Sequence, residues 1–128
     1  MAFSTFFAVP VLSLNSKALQ NIIDIEKTFT HSGNGEYKYS GANITIPSGC
    51  IAIISYKARW RSYKPIGAAL SNSDTELDDE TIESKTEGQY PVTNTYIVKA
   101  EKDMTLYVWT KYGSTGIEAC SIRGIIFN

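Results

Sequence analysis

The run from Gly41 to Arg61, GANITIPSGCIAIISYKARWR, reads as a strand, a Pro-Ser-Gly turn and a second, longer strand. Side chains of a strand point to opposite faces with a period of two. One face of the second strand is apolar throughout: Cys50, Ala52, Ile54, Tyr56, Ala58 and Trp60. The other face begins apolar and ends polar: Ile51, Ile53, Ser55, Lys57, Arg59 and Arg61. A strand covered on both faces at one end and wet on one face at the other predicts a central strand of a β-sandwich.

Turn signals divide the rest of the chain into further short stretches of alternating residues. The sequence HSGNG at residues 31–35 predicts a tight turn, because Asn-Gly readily adopts the positive φ values that such turns require. The polar and acidic stretch at residues 71–88 predicts a long surface loop with one short strand near residues 81–85. About seven to nine short strands and little helix predict one all-β domain, an antiparallel β-sandwich or barrel.

Residues 1–27 are interpreted as an N-terminal arm and residues 28–128 as the sandwich domain. The arm begins with an apolar stretch, MAFSTFFAVPVLSL, which lacks the basic start of a signal peptide, so cleavage is the weaker alternative. In residues 15–27, a capping residue and apolar positions at helical spacing predict one short helix or turn. Ile23, Ile25 and Phe29 also alternate, so Ile22 to Thr30 could be a strand, and we favour a short helix or turn followed by a strand.

The charge balance argues against two classes of partner. The formal net charge is −1, so neither a phosphate backbone nor an anionic membrane attracts the chain overall. No apolar run approaches the roughly 20 residues that span a bilayer. We therefore expect no nucleic-acid partner and no membrane insertion. The two cysteines, Cys50 and Cys120, are expected to be buried free thiols, with a disulfide as the alternative if their strands are neighbours.

Residues that carry chemistry are sparse. His31 is the only histidine and has no partner at metal-ligand spacing, so we interpret it as an exposed turn residue. The carboxylate run from Asp74 to Glu83 is expected to be a solvated loop, with calcium binding as the alternative. We expect no enzyme activity, no cofactor and no metal site, because no acid–base pair or nucleophile set appears; a small hydrolase is the least favoured alternative.

The polar end of the central strand leads into a candidate binding cluster. Aromatic faces stack on sugar rings or bases, and arginine forks grip carboxylates or phosphates. Trp60 falls on the apolar face of its strand, which favours a place in the core. The candidate ligand-binding residues are therefore Arg59, Arg61, Tyr63 and Lys64.

Four segments together resemble the C-terminal head modules of bacteriophage tail-fibre and related virion-surface proteins: YKYSGANITIPSGC (37–50), KPIGAALSNSD (64–74), TLYVWTKYGSTG (105–116) and SIRGIIFN (121–128). The resemblance implies a jelly roll of the kind found in tumour-necrosis-factor-like and complement-head trimers, and so a homotrimer. No catalytic residue accompanies it. A short N-terminal segment stands where fibres have a long stalk, so we expect the arm to dock the head onto another virion protein, capsid or tail. The candidate docking residues are Phe3, Phe6, Phe7, Val9 and Val11.

The leading hypothesis is a non-enzymatic phage protein of the virion surface, assembled in the host cytoplasm. It would be a capsid decoration, a head fibre or a tail-fibre tip. Weak sites repeated by symmetry would give avidity for host-surface glycans without new contacts. The alternative is a monomeric carbohydrate-binding module or secreted lectin.

Overall fold

The computed structural model describes residues 17–31, 33, 35–59, 65–88, 92–113 and 115–128. These residues form eight strands and no helix, which confirms the all-β prediction. The strands are β1 (Leu19–His31), β2 (Tyr37–Ile46), β3 (Ile51–Arg59), β4 (Pro65–Ser71), β5 (Ile82–Glu87), β6 (Val92–Lys99), β7 (Met104–Tyr112) and β8 (Gly116–Phe127). Within the described residues, no helix is long and apolar enough to cross a membrane.

The strands form two antiparallel sheets of four strands that pack against each other around one core. The first sheet has the order β1-β8-β3-β6, and the second has the order β2-β7-β4-β5. β1 pairs with β8, β2 with β7, β3 with β6, and β4 with β5. The chain therefore folds as one long hairpin of paired strands that is wrapped into a sandwich. This arrangement is an eight-stranded jelly roll, and the predicted sandwich is confirmed.

β3 occupies the inner position predicted for it, between β8 and β6. Its inward side chains are almost fully buried: Ala52, Ile54, Tyr56 and Ala58. Its opposite face passes from buried Ile51 through half-buried Ile53 to exposed Arg59. The period-two pattern thus predicted both the strand and the change from a covered to a wet outer face.

β1 corrects the interpretation of the N-terminal region. Residues 19–31 form one strand, so the short helix or turn predicted within residues 15–27 is wrong from residue 19 onward; the strand predicted to follow it, from Ile22 to Thr30, is confirmed and extends over Leu19–His31. β1 pairs with β8 along its length, and Ile23, Ile25 and Phe29 pack against the core. Helix capping and helical spacing are weak local preferences. The free energy gained from pairing with β8 and from burial of side chains in the core is larger. The sandwich therefore includes residues 19–27, which the sequence interpretation places in the arm.

Two glycine-containing turns carry the chain from one sheet to the other. The Pro47 carbonyl accepts a hydrogen bond from the Cys50 N–H at 3.1 Å, and Gly49 has the φ of 83° that a type II turn requires at its third position. In the predicted turn at residues 31–35, Gly33 and Gly35 have φ values of 69° and 79°. This turn joins β1 to β2, which lie in different sheets and do not form a hairpin.

Gly124 of β8 lets the two sheets approach closely. A Cβ atom at this position would overlap the Cδ1 atom of Ile44, which comes from β2 of the opposite sheet, and would stand 3.3 Å from Cδ1 of Ile54. The missing side chain on one sheet therefore makes room for an isoleucine of the other.

Both cysteines are buried free thiols, as predicted. The Cys50 thiol donates to the Gln20 side-chain oxygen at 3.1 Å. Burial raises the pKa of the Cys120 thiol to about 11, so this group stays protonated at neutral pH. Because the thiolate is the reactive form, Cys120 acts as a small core residue.

Candidate functional site

The outer face of the first sheet carries a row of four isoleucines, one from each strand. Ile22 lies opposite Ile125, Ile125 opposite Ile53, and Ile53 opposite Ile97. Opposed residues of paired strands share a face, and the next residue after Ile53 points into the core, so the row faces outward. Ile22 is 46% exposed and Ile97 47% exposed. We call Ile22, Ile53, Ile97 and Ile125 the isoleucine face.

A second apolar row lies beside the isoleucine face. Leu19 stands opposite Phe127, and Phe127 stands opposite Ile51. Leu19 is 55% exposed, Phe127 is half-buried, and Lys99 completes the row on β6. Contiguous apolar side chains on the surface of a soluble domain mark a site of interaction. One end of the outer face of the first sheet is therefore a candidate contact surface.

The other end of the same face is polar and includes Arg59. Asp24 and Arg123 stand opposite each other and form an ion pair at 3.6 Å. The Arg59 guanidinium forms an ion pair with the Glu26 carboxylate, and both side chains remain well exposed. Such surface pairs contribute about 0–1 kcal/mol each. Arg59 is thus accessible but already has a partner within the chain, and its contact with a ligand stays a prediction.

The remaining residues of the sequence hypothesis lie outside the described part of the chain. These are Arg61, Tyr63 and Lys64 of the ligand-binding cluster, Trp60, and Phe3, Phe6, Phe7, Val9 and Val11 of the docking arm. Their assignments stay predictions.

The outer face of the second sheet is aromatic rather than aliphatic. Tyr39 of β2 lies opposite Trp109 of β7, and Tyr107 lies two residues from Trp109 on the same face. The ring centroids of Tyr39 and Tyr107 are 5.5 Å apart at an interplanar angle of 81°, an edge-to-face contact that aromatic quadrupoles favour. The Trp109 indole N–H donates to the Ser73 carbonyl at 2.9 Å. We call Tyr39, Tyr107 and Trp109 the aromatic ledge.

A bulge in β2 shapes the aromatic ledge. The pairing register with β7 shifts between Tyr39 and Asn43, and Gly41 adopts a φ of 90° within this stretch. Bulges change the direction in which side chains point. The Asn43 amide then donates to the Tyr39 hydroxyl at 2.9 Å, and burial raises the pKa of Tyr39. Thr45 and Thr105 share a hydrogen bond at 2.9 Å in the next row of the same face.

Tyr37 ties the two edge strands of the second sheet together. Its hydroxyl donates to Glu87 Oε1 at 2.9 Å, although β2 and β5 are the outermost strands. The side chain passes over Gly67, where a Cβ atom would stand 2.5 Å from the Tyr37 hydroxyl. Lys111 lies 3.4 Å from Glu87 and 5.4 Å from the Tyr37 ring centroid. The hydrogen bond from Tyr37 lowers the pKa of Glu87, and burial raises the pKa of Tyr37.

His31 is fully buried, so its prediction as an exposed turn residue is wrong. It ends β1 on the inward side shared with Phe29, and its ring centroid lies 5.1 Å from that of Tyr112. Nδ1 accepts from the Gly33 N–H at 2.9 Å, which places the proton on Nε2, and Nε2 donates to the Thr110 carbonyl at 3.1 Å. With both nitrogens engaged, His31 supports the fold of this end of the sandwich.

The acidic loop between β4 and β5 is organised by its own side chains. Asp78 Oδ1 accepts from the N–H groups of Glu80 and Thr81 at 2.9 and 3.1 Å, and Thr81 Oγ1 accepts from the Asp78 N–H at 2.9 Å. The short strand predicted near residues 81–85 is β5. In the part of the chain that the structure describes, no three His, Cys, Asp or Glu side chains come together to hold a metal ion. The described residues of this loop therefore provide no grouped set of ligands in support of the calcium-binding alternative.

Sequence patterns reveal only part of the isoleucine face and only part of the aromatic ledge. Ile51 and Ile53 are visible as the apolar start of the second face of β3. Which residues stand beside Ile53 depends on strand order and register, and a local pattern does not determine either. The same limit applies to Tyr39 and Trp109, which are 70 positions apart in sequence but opposite each other in the sheet.

Comparisons of this chain with protein-family models and with curated protein sequences find no match. Its class is therefore defined by its fold and surfaces. It is an eight-stranded jelly roll with an aliphatic outer face on one sheet and an aromatic outer face on the other.

Proposed function

We propose that this chain is a non-enzymatic module of a phage virion surface, which self-associates through the isoleucine face and attaches to host-surface glycans. The observation that carries the proposal is an exposed aliphatic row that crosses all four strands of one sheet. The resemblance to phage head modules implies a homotrimer, and the N-terminal arm would dock it onto another virion protein.

A second copy of the chain is the partner that the isoleucine face fits best. Removing apolar surface from water stabilises a complex by about 25 cal/mol per Å². The polar rows beside the face carry both signs of charge, with Asp24 paired with Arg123 and Glu26 with Arg59, and Lys57 and Lys99 add two positive charges to the same outer face. The formal net charge of −1 for the whole chain opposes association little.

The contacts of the buried polar groups in the described residues also support a structural role. The His31 ring is occupied on both sides by backbone groups, and the Cys120 thiol is buried and protonated. Leu19, where the chain enters β1, lies in the apolar row beside the isoleucine face. Docking through the preceding residues would therefore occur next to the self-association surface.

A charged substitution on the isoleucine face tests the proposal. Ile97→Asp changes a side chain that is 47% exposed on the edge strand β6, so the single domain should still fold. In an interface, the same carboxylate would be buried without a partner at a cost of about 3–5 kcal/mol. Sedimentation velocity at tens of micromolar should show an oligomer for the unmodified protein and a monomer for Ile97→Asp, with self-association weakened about 100-fold or more.

Ile66→Asp is the matched control, because it makes the same chemical change at an exposed position on the second sheet. This variant should keep the mass of the unmodified protein. A monomeric unmodified protein, or an Ile97→Asp variant with undiminished mass, would contradict the proposal.

The aromatic ledge favours a second candidate, the monomeric carbohydrate-binding module. A binding surface of this kind needs no partner copy, because the ledge lies within one chain. A protein that stays monomeric at all concentrations and still binds glycans would support this candidate over the first.

A further inference from the structure

We propose that the aromatic ledge is the glycan site and that a neutral sugar ring packs against the Tyr107 ring, beside Tyr39. This inference rests on the proposed attachment function and moves the site away from the Arg59 cluster, to the outer face of the other sheet.

The ledge is held in place before any ligand arrives. Tyr39 is fixed by its contact with Tyr107 and by the hydrogen bond from Asn43. Trp109 is only 8% exposed and is anchored by the Ser73 carbonyl, so it forms the floor beside the two half-buried tyrosines. Rings that are already ordered lose little conformational entropy on binding.

On the side of Tyr107 away from Trp109, the neighbouring groups are polar but uncharged. Asn43 lies opposite Tyr107, and Thr45 and Thr105 lie in the next row, so amide and hydroxyl groups stand on the same face. Aromatic faces next to neutral donors and acceptors suit a ring that is apolar on one side and carries hydroxyls at its rim. The isoleucine face lacks this combination, because its exposed residues are aliphatic.

The charges nearest to the ledge disfavour an anionic ligand. Asp74 follows Ser73, whose carbonyl accepts from the Trp109 indole at 2.9 Å, and after burial its carboxylate is a further cause that raises the pKa of Tyr39. Lys85 lies in the same row as Trp109 and Lys111 lies in the next row, and both form ion pairs with Glu87. A phosphate or a nucleic-acid backbone would be repelled by the carboxylate, and both of these lysines are already paired with Glu87. Stacking with neutral sugars is therefore favoured over stacking with nucleotides.

The two outer faces also have separate roles, one in self-association and one in glycan binding. The sheets pack face to face, so the ledge and the isoleucine face point in opposite directions. Self-association through one face leaves every ledge open to a surface that carries many copies of the same glycan. Weak single sites then gain avidity through repetition.

Saturation-transfer difference NMR with defined trisaccharides tests this inference. The probes are maltotriose, cellotriose, mannotriose and chitotriose, and a thymidine decamer serves as the stacking control. We expect at least one trisaccharide to bind, with the strongest saturation on the C–H protons of its sugar ring. The decamer should show no comparable binding. Tyr107→Ala should weaken this binding about tenfold or more, whereas Tyr107→Phe, which keeps the ring, should retain it. Arg59→Ala, on the opposite face, should leave it unchanged.

The inference would be overturned by no binding of any trisaccharide, by binding that depends on Arg59 but not on Tyr107, or by preferential binding of the decamer. A Tyr107→Ala variant that loses its oligomeric mass instead would identify the ledge as a protein interface, which also overturns it. Because the isoleucine-face variants report on assembly alone, failure of glycan binding is distinguishable from failure of the proposed assembly.

Discussion

At the scale of single residues, Gly124 shows how closely the two sheets fit. Ile44 reaches from β2 into the space that a β8 side chain would fill, and Ile54 closes the same space from β3. Protein cores are packed as densely as organic crystals, so an added methyl group forces neighbouring side chains to move.

Gly124→Ala should therefore lower the free energy of unfolding by about 1–3 kcal/mol, because the new methyl group overlaps Ile44 Cδ1. Urea denaturation followed by circular dichroism measures the change. Ile44→Val removes the overlapping atom, so the double variant should be more stable than the sum of the two single changes predicts, by about 0.5 kcal/mol or more. Strictly additive effects would show that these residues do not compete for the same space.

His31 marks the limit of prediction at this scale. A histidine before a Gly-Asn-Gly sequence is consistent with an exposed turn, yet its burial depends on Tyr112, which the fold brings to it from β7. The hydrogen bond to Thr110 joins residues 79 positions apart. Local sequence predicted the turn correctly and the burial wrongly, because burial is a property of the tertiary contacts.

At the scale of elements, the edge strand β5 is held by a side-chain hydrogen bond that reaches across its sheet to β2, the other edge strand. Glu87 on β5 accepts from Tyr37 on β2, and the hydrogen bond lowers the pKa of the carboxyl below its ordinary value of 4.5. A lowered pKa means that the folded state binds fewer protons than the unfolded state. The contribution to stability is therefore complete above about pH 4.5 and is lost as the pH falls through the folded value.

Glu87→Gln should flatten this acid dependence. At about pH 6 the variant should be less stable than the unmodified protein, and the difference should shrink as the pH falls below about 4.5 and the Glu87 carboxylate becomes protonated. Urea denaturation at a series of pH values measures it. The Glu87 side chain is 36% exposed, so solvent screening keeps the effect modest. A difference that stays constant across the series would show that the Glu87 charge does not carry it.

Strands were predictable where a two-residue period was strong, as in β3, and less so where helical and strand periods overlapped. In β1, Ile22 and Ile23 fit helical spacing, Ile23 and Ile25 fit strand alternation, and pairing with β8 decides between the two patterns. The acidic sequence between β4 and β5 was predictable as a loop because it offers almost no apolar side chains to bury.

At the scale of the whole molecule, the jelly roll explains why two unrelated surfaces occur on one small domain. Wrapping a long hairpin places β1, β8, β3 and β6 in one sheet and the other four strands in its partner. Strand order could not be predicted from local pattern, so neither the isoleucine face nor the aromatic ledge was predictable as a unit. The separate residues were visible in the sequence, but their alignment required the register.

The central claim is that the isoleucine face is buried between copies of the chain. Methyl NMR of isoleucine-labelled protein with a soluble paramagnetic agent tests it directly, with Ile66 on the second sheet as an exposed internal reference. The methyl signals of Ile22 and Ile97 should be protected from broadening, while the Ile66 signal should be broadened. If Ile22 and Ile97 broaden as strongly as Ile66 at concentrations of tens to hundreds of micromolar, the face is open to solvent and the claim is wrong.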